Sequence, residues 1–471
     1  MHIAFLNPQG NFDENDSYLA EHPDFGGQLV YVKEVAQSMC RLGHKVDIIT
    51  RRIDDPDWPE FSAALDYYAG YEENLRIVRL DCNGPDFLNK EDLWPHLDEF
   101  VDNVLAFYGH DGPDFTTAHY ADGGYCSARI EALTGIKFTL TGHSLGAQKL
   151  DKLGTNSDNW PEMEAQFRFS RRIDAERLAM TRAYRIITST AQEHREQYSH
   201  PLYQGAVNIN EPGRFLVIPP GVNTRIFTTE KSVYDERVGN ELPARLGENG
   251  DPFVLVSSRL DEKKNIIGVV KAFAQSEPLR RRARLAICIR GVDDPYRDIG
   301  HLPDVEKRVL QKILDVIKDA NMDDRVHYLN IHSQKELAAT YRFLAARGSV
   351  FALTAFYEPF GLAPIEATAC GLACVATQNG GPSEIFEDGS GVLVDPFDVD
   401  AIADGLLAAL DNQSNLSARA RKRVLEIYTW DKTAQAYLDV INEGVAAGRD
   451  GGGEIPPLDA GNRIADYLSN P

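Results

Sequence analysis

The chain is poor in the features that would staple it from outside or tie it to a charged surface. Only six of its 471 residues are cysteine: Cys40, Cys82, Cys126, Cys288, Cys370 and Cys374. Scattered mostly inside apolar runs, they suit reduced core thiols better than a disulfide framework. "CGLAC" holds the close pair, and no second Cys/His pair follows it to complete a metal site, so its expected role is structural. No apolar run is long enough to span a bilayer, and the chain opens on the strand-like "HIAFLN" with no signal peptide, which points to a cytoplasmic protein. Positive charge is scarce too: 49 Lys and Arg face 71 Asp and Glu, a net charge of −22. That balance opposes attraction to nucleic acid or to anionic membranes, and any anionic substrate must be met by a local basic cluster.

What is present is a large apolar fraction, 43% of residues, in a chain too long for one ordinary domain. Short β-rich runs ("HIAFLN", "KVDIIT", "RIVRL", "FTTAHY", "FTLTGH", "RIITST", "FLVIPPG") alternate with helical patterns such as "QLVYVKEVAQSMCRLG" and "PEMEAQFRFSRRIDAERLAM". A second series begins at "FVLVSSRL" and continues through "LAICIRG", "RVHYLN", "SVFALTAF" and "CVATQNGG". Alternation of this kind predicts parallel sheets covered by helices on both faces, in two Rossmann-like domains facing each other across a deep cleft. The polar stretch from about Asn223 to Asp251 reads as the join. The expected boundaries are 1–224 for the first domain and 225–430 for the second, with 431–471, including the flexible "GRDGGGEIPP", packing back on the first.

Ligands of open α/β sheets lie beyond the carboxyl ends of strands, so the loops after strands are the places to look. "TGHSLGAQK" follows one strand and satisfies the G-x-S-x-G pattern of a serine-hydrolase elbow at Ser144. Chain order alone leaves that reading open, since histidines such as His327 and His332 come later. After the first strand, Gly26 and Gly27 let backbone N–H groups approach a ligand at a helix start, although no G-x-G-x-x-G dinucleotide fingerprint is present. In the second half, "SSRLDEKKN" places Arg259 and Lys264 just after a strand, where two cations suit a diphosphate. "FYEPFGLAPIEATACG" ends another strand at Glu358 and opens a helix whose free N–H groups can hold phosphate, with Glu366 following. Two carboxylates could also mark a glycosidase pair.

"EPFGLAPIE" is similar to the E-x7-E motif of retaining nucleotide-sugar glycosyltransferases of the GT-B fold, and "SRLDEKKN" to their upstream Arg/Lys pair. "NPQGNFDENDSY", "HPDFGGQLVYVKEVA", "TRRIDDPDWPEF", "TGHSLGAQK", "QYSHPLYQGAVNI" and "PPGVNTRIF" together resemble the bacterial sucrose-phosphate synthase family along nearly the whole chain. The resemblance implies glucose transfer from UDP-glucose to fructose 6-phosphate with retained configuration, a GT-B fold of acceptor-binding and donor-binding domains, and a separate phosphatase to process the product. It assigns Gly26, Gly27 and Gln28 to the loop meeting acceptor and donor, and His143 to the transferred hexose. Arg259 and Lys264 would hold the diphosphate with the backbone at Gly361, Leu362 and Ala363; Glu358 would bind the donor sugar and Glu366 the ribose. Lys90, Tyr120, Ser144, Lys149 and Arg172 would hold the acceptor. Arg290 and "LNIHSQKEL" would line the base pocket. No cofactor is required: the Asp-x-Asp in "DPFDVDAIA" reads as a helix cap at Asp398 rather than a metal site. Alternatives are a sibling such as mannosylfructose-phosphate synthase with GDP-mannose, a sucrose synthase using free fructose, a non-catalytic sugar-nucleotide-binding protein, and the serine hydrolase.

Overall fold

The computed structural model describes residues 1–18, 22, 24–247, 250–450, 453–455 and 459–469. Parts of two sequence segments, 19–21 and 23 in the first long loop and 451–452 and 456–457 in "GRDGGGEIPP", therefore lie outside the described residues. The chain divides into two compact units, Met1–Pro219 with Thr433–Pro471, and Pro220–Lys432.

The first unit carries eight strands: β1 (His2–Leu6), β2 (Lys45–Arg51), β3 (Leu65–Asp66), β4 (Leu75–Leu80), β5 (Phe115–His119), β6 (Phe138–Thr141), β7 (Arg185–Thr188) and β8 (Phe215–Val217). They lie in the order β3-β4-β2-β1-β5-β6-β7-β8, and only the short edge strand β3 runs antiparallel. Central β1 pairs in register with both neighbours, Ile3 opposite Val46 and Phe115. Both faces are covered. Ala4, Leu6, Ile49 and Val78 pack with Phe100 and Ile130, and Phe138 and Leu140 with Ile173 and Met180, all on one face. On the other, Phe5 stacks on His119, whose ring lies near those of Tyr31 and Tyr437. Strands buried twice over read as unbroken apolar runs, which is why they stand out in the sequence.

The second unit carries β9 (Phe253–Ser257), β10 (Arg284–Cys288), β11 (Val326–Leu329), β12 (Val350–Leu353), β13 (Ala373–Thr377) and β14 (Val392–Val394), all parallel, in the order β11-β10-β9-β12-β13-β14. Alternation here has a direct structural counterpart. Val254, Val256, Leu285, Ile287, Val350 and Ala352 face one core, while Phe253, Leu255, Ala286, Cys288, Phe351 and Leu353 face the other. Each fully buried Val, Leu, Ile or Phe contributes roughly 1.5–3 kcal/mol, so neither layer is dispensable.

Both sheets reverse their winding beside the first strand. The chain places β2 on one side of β1 and β5 on the other; it places β10 on one side of β9 and β12 on the other. Adjacent loops diverge at such a point and leave a crevice beyond the strand ends. The fold thereby singles out the loops after β1 and β5, and after β9 and β12.

Two local readings change, and that of Asp398 holds. "PEMEAQFRFSRRIDAERLAM" is two helices, Trp160–Phe167 and Phe169–Arg182, broken where Arg168 adopts a left-handed φ of 51°. The polar join contains a helix, Val233–Leu246, started by a capping box in which Ser232 and Asp235 satisfy each other's backbone N–H groups. Asp398 is a helix cap, its Oδ1 accepting from the N–H groups of Asp400 and Ala401 at 2.9 and 3.1 Å. At the other end, the helix Trp430–Ala446 contributes Tyr437, whose hydroxyl lies 3.0 Å from that of Tyr31 and 2.5 Å from Thr141 Oγ1 inside the first unit. All six cysteines are buried free thiols. Among the described residues, no helix is long and apolar enough to cross a membrane, and no group of three or more His, Cys, Asp or Glu gathers as a metal site.

Candidate active site

In the first unit, the loop after β1 is fixed by Asn7, which donates to the Gln9 carbonyl at 2.5 Å and accepts from Gln28 Nε2 at 2.8 Å. Gln28 is thereby held at the start of the helix Gly27–Arg41, for which extended Gly26 is the N-cap. A Cβ placed on Gly26 or Gly27 would meet no described atom within 4 Å. Among the described residues, neither glycine is needed for packing or for a left-handed φ. Gly27→Ala is therefore expected to leave the melting temperature unchanged or slightly raised, since Ala favours a helix by up to about 1 kcal/mol. Catalytic efficiency should fall by about tenfold or more through steric crowding of the ligand. Differential scanning fluorimetry and steady-state kinetics check this pair of outcomes.

The loops after β5 and β6 meet at two histidines. His119, the last residue of β5, places Nδ1 2.9 Å from His143 Nε2, and its own Nε2 lies 3.1 Å from Thr117 Oγ1. His143 takes a φ of 57°, and its ring lies edge-on to Tyr31 at 4.9 Å and stacked on His119 at 5.1 Å. Burial pushes His143 down to about 3 and His119 well below its usual range, so both imidazoles stay neutral at working pH. His143 Nε2 is engaged by His119.

The same geometry removes the hydrolase reading. A nucleophile elbow puts its serine on the strained turn; here the strained residue is His143. The described hydrogen bond of Ser144 Oγ runs to Arg172 Nη2 at 3.4 Å, and His327, one of the later histidines, bonds the Arg245 carbonyl.

A pocket beside these loops is lined by Gln9, Lys90, Glu91, Trp94, Tyr120, Asp122, Phe167 and Arg172. Arg172, 4% exposed, stacks its guanidinium over Tyr120 at 4.5 Å and donates to the Ser144 carbonyl at 2.5 Å. Its Nε is held 3.0 Å from Glu176, which also accepts from the Gly146 N–H at 2.8 Å and from the Tyr203 hydroxyl. Lys149 stands over the Phe167 ring at 4.2 Å and 3.9 Å from Glu91. Burial, then Arg172, lowers its ammonium to about 8, with Glu91 opposing and Lys90 adding to the fall. Lys90 is paired with Asp24, and lies 3.8 Å from Glu91. The expected basic cluster is thus interleaved with acids. Three cations share the region with Asp24, Glu91, Asp122 and Glu176, because cations taken this far from water need compensating charge.

In the second unit the loops after β9 and β12 are stitched together. Asn265 donates to the carbonyls of Thr354 and Pro396 at 3.0 and 2.8 Å, and Phe356 N–H bonds the Lys263 carbonyl at 2.9 Å. Across this seam Lys264 Nζ lies 2.7 Å from Glu358 Oε2. Glu358 is itself held on both sides of its backbone, its N–H bonding the Asn379 carbonyl at 3.1 Å and its carbonyl the Gly381 N–H at 2.9 Å. The approach is close enough that Gly380, with φ 99°, could not carry a Cβ, which would fall 2.1 Å from the Glu358 oxygen. Gly361, left-handed at φ 107°, starts the helix Leu362–Ala369 and makes no side-chain cap bond to its first N–H groups, those of Leu362 and Ala363 included. Glu366 lies one turn in. Arg259 is exposed, and its guanidinium has no partner among the described residues. Exposed Arg290 follows β10, where the Gly291 N–H bonds Asn330 Oδ1 at 2.8 Å and so ties the loops after β10 and β11.

Comparison with known proteins decides the family. A model of "Glycosyl transferases group 1" matches residues 240–425, and one of a "Glycosyl transferase 4-like domain" matches 26–202. A probable sucrose-phosphate synthase of Thermosipho melanesiensis is 46% identical over 94% of this chain and 97% of its own. The chain belongs to the sucrose-phosphate synthase family. The maize sucrose-phosphate synthase is 32% identical over 93% of the chain, which spans 47% of that longer protein. The solved sucrose-phosphate synthase of Thermosynechococcus elongatus superimposes with a TM-score of 0.67 at 25% identity, covering 95% of this chain and all of that one. The fold of this sucrose-phosphate synthase family member is GT-B, and the protein is a glycosyltransferase.

Of the positions picked out in the sequence, the structure gathers Lys90, Tyr120, Ser144, Lys149 and Arg172 around one pocket region, and Lys264, Glu358, Gly361, Leu362 and Ala363 around one seam. Sequence reasoning missed Gln9, His119, Asp122 and Glu176. The first three were within reach of the strand-end rule, since Gln9 follows β1, His119 ends β5 and Asp122 follows it; Glu176, deep in a helix, gave no such signal.

Proposed function

We propose that the protein transfers glucose from UDP-glucose to fructose 6-phosphate with retention of anomeric configuration, giving sucrose 6-phosphate and UDP. The pairing of Lys264 with Glu358 at the second switch point carries the reading: a cation for the diphosphate stands 2.7 Å from an acceptor for sugar hydroxyls. The name shared by the relatives and the grouping of Lys149, Arg172 and Lys90 around Glu91 and the pocket of the first unit support it. Donor residues are Gly27, Gln28, Arg259, Lys264, Arg290, Glu358, Gly361, Leu362, Ala363 and Glu366; acceptor residues are Gly26, Gln28, Lys90, Tyr120, Ser144, Lys149 and Arg172.

The chemistry is charge management. The bond from the anomeric carbon to the diphosphate breaks with its electron pair going to the diphosphate, where Arg259, Lys264 and the helix N–H groups stabilise the growing charge. Oxocarbenium character develops on the sugar, held by Glu358 and by neutral His143. The acceptor hydroxyl then bonds the same face of that carbon, and its proton passes to the departing phosphate oxygen. No enzyme nucleophile is used. The product retains a phosphate monoester and is thereby a substrate for a phosphatase. A matrix of UDP-, ADP- and GDP-sugars against fructose and fructose 6-phosphate, scored by nucleotide release and product mass, tests the assignment. Turnover with UDP-glucose and fructose 6-phosphate is the expected maximum, and turnover confined to free fructose or to GDP-mannose would replace it with one of the siblings.

A further inference from the structure

The acceptor pocket contains a carboxylate that none of the foregoing roles uses. Asp122 stands in the first turn of the helix Tyr120–Thr134, directly after β5, and is 3% exposed. It lines the pocket with Arg172, Lys90, Glu91 and Tyr120. Neither of its oxygens has a hydrogen-bond partner of normal geometry among the described residues, and the same holds for the buried Oε1 of Gln9 on the facing loop. Every other acid around the pocket is compensated: Asp24 by Lys90, Glu176 by Arg172, and Glu91 by two lysines. Two buried acceptors thus border the cavity with no side-chain donor bonded to them, an arrangement that a bound molecule bearing O–H groups would improve.

We infer that Asp122, with Gln9 Oε1 beside it, receives hydroxyl groups of the acceptor sugar and so sets which way round a phosphorylated sugar lies in the pocket. The inference rests on the acceptor assignment given above. A phosphate monoester is repelled by Asp122 and attracted by Arg172 and Lys149, whereas sugar hydroxyls can donate to a carboxylate in short, charge-assisted bonds. The pocket is therefore divided: cations take the phosphate, and Asp122 with Gln9 takes the hydroxyls. Specificity follows from the same division, because a ligand with phosphate but no hydroxyls leaves Asp122 unmet, and one with hydroxyls but no phosphate leaves the cations unmet.

Burial raises the Asp122 carboxyl to about 7, while backbone N–H groups of Gly123, Asp122 and Gln9 and the nearby Arg172 hold it from rising further. A folded-state value above the unfolded one means that the native protein binds the proton more tightly, so stability is lost as pH rises through this range. At pH 8 the charged Asp122 works against the fold. Asp122→Asn should consequently melt at or above the wild-type temperature at pH 8, the opposite of what loss of a structural carboxylate would do.

Binding separates the roles without relying on turnover. Calorimetric titration of the full chain with fructose 6-phosphate and, separately, with inorganic phosphate is expected to show Asp122→Asn weakening the sugar phosphate by about 10- to 100-fold. Inorganic phosphate should bind as well as to wild type or better, because a repelling charge is gone. Gln9→Met, which deletes the neighbouring acceptor with little change of volume, should shift the two ligands in the same sense by a smaller factor. Equal weakening of both ligands, no effect on the sugar phosphate, or a lower melting temperature for Asp122→Asn would overturn the inference. Binding of fructose 6-phosphate by wild type without transfer would instead count against the proposed reaction and leave this test intact.

Discussion

Lys264→Ala is expected to lower kcat by about 10²- to 10³-fold, with kcat/KM for the donor falling at least as far. Charge accumulates on the diphosphate as the glycosidic bond breaks, so a cation fixed beside it stabilises the transition state more than the ground state. The substitution also strands Glu358. Lys264 Nζ lies 2.7 Å from Glu358 Oε2, and the two side chains are 24% and 13% exposed. Without the ammonium, that carboxylate meets an anionic diphosphate directly. Both consequences act in the same direction, which is why this is among the largest effects expected. Steady-state kinetics with the donor varied at saturating acceptor measures it, and a loss of less than about fivefold in kcat would remove Lys264 from the diphosphate.

The second large effect belongs to the acceptor. Lys149→Ala should raise the KM for fructose 6-phosphate by about 10- to 100-fold, the loss of one charge-assisted contact to phosphate, and should leave the donor KM nearly unchanged. Its pH dependence follows from the lowered ammonium at about 8. A lysine with depressed pKa carries its charge below that value and loses it above, so kcat/KM for fructose 6-phosphate should fall as pH rises through about 8 in the wild type. Lys149→Arg, which stays charged, should move that limb to higher pH. Equal loss for donor and acceptor in Lys149→Ala would take Lys149 out of the phosphate pocket.

How much of this was legible in the sequence depends on the range of the interaction. β1, β9 and β12 were visible as mostly apolar runs because both sheet faces are covered, and β5 as a short β-prone run, Phe115–His119; the candidate loops were then found by proximity to strand ends, as Lys264 and Glu358 illustrate. Local rules were readable where they were applied, as at Asp398. The capping signature of Ser232 and Asp235 was present in "KSVYDE" but was outweighed by the polar composition around it, so a helix was read as a join. Arg168 broke a continuous helical pattern because a single left-handed residue leaves no mark on periodicity. Contacts between distant residues were out of reach. The pairing of Lys90 with Asp24 spans 66 positions and that of Ser144 with Arg172 spans 28, and no pattern along the chain encodes either. For the same reason a cluster expected to be basic proved to be a set of paired charges.

The most direct test is a single incubation of the protein with UDP-glucose and fructose 6-phosphate, followed by product mass and the proton spectrum of the new anomeric centre. The account predicts UDP and a disaccharide monophosphate in equal amounts, with the glucosyl carbon still in the α configuration of the donor. A β-linked product, free glucose in place of the disaccharide, or no UDP release would contradict it.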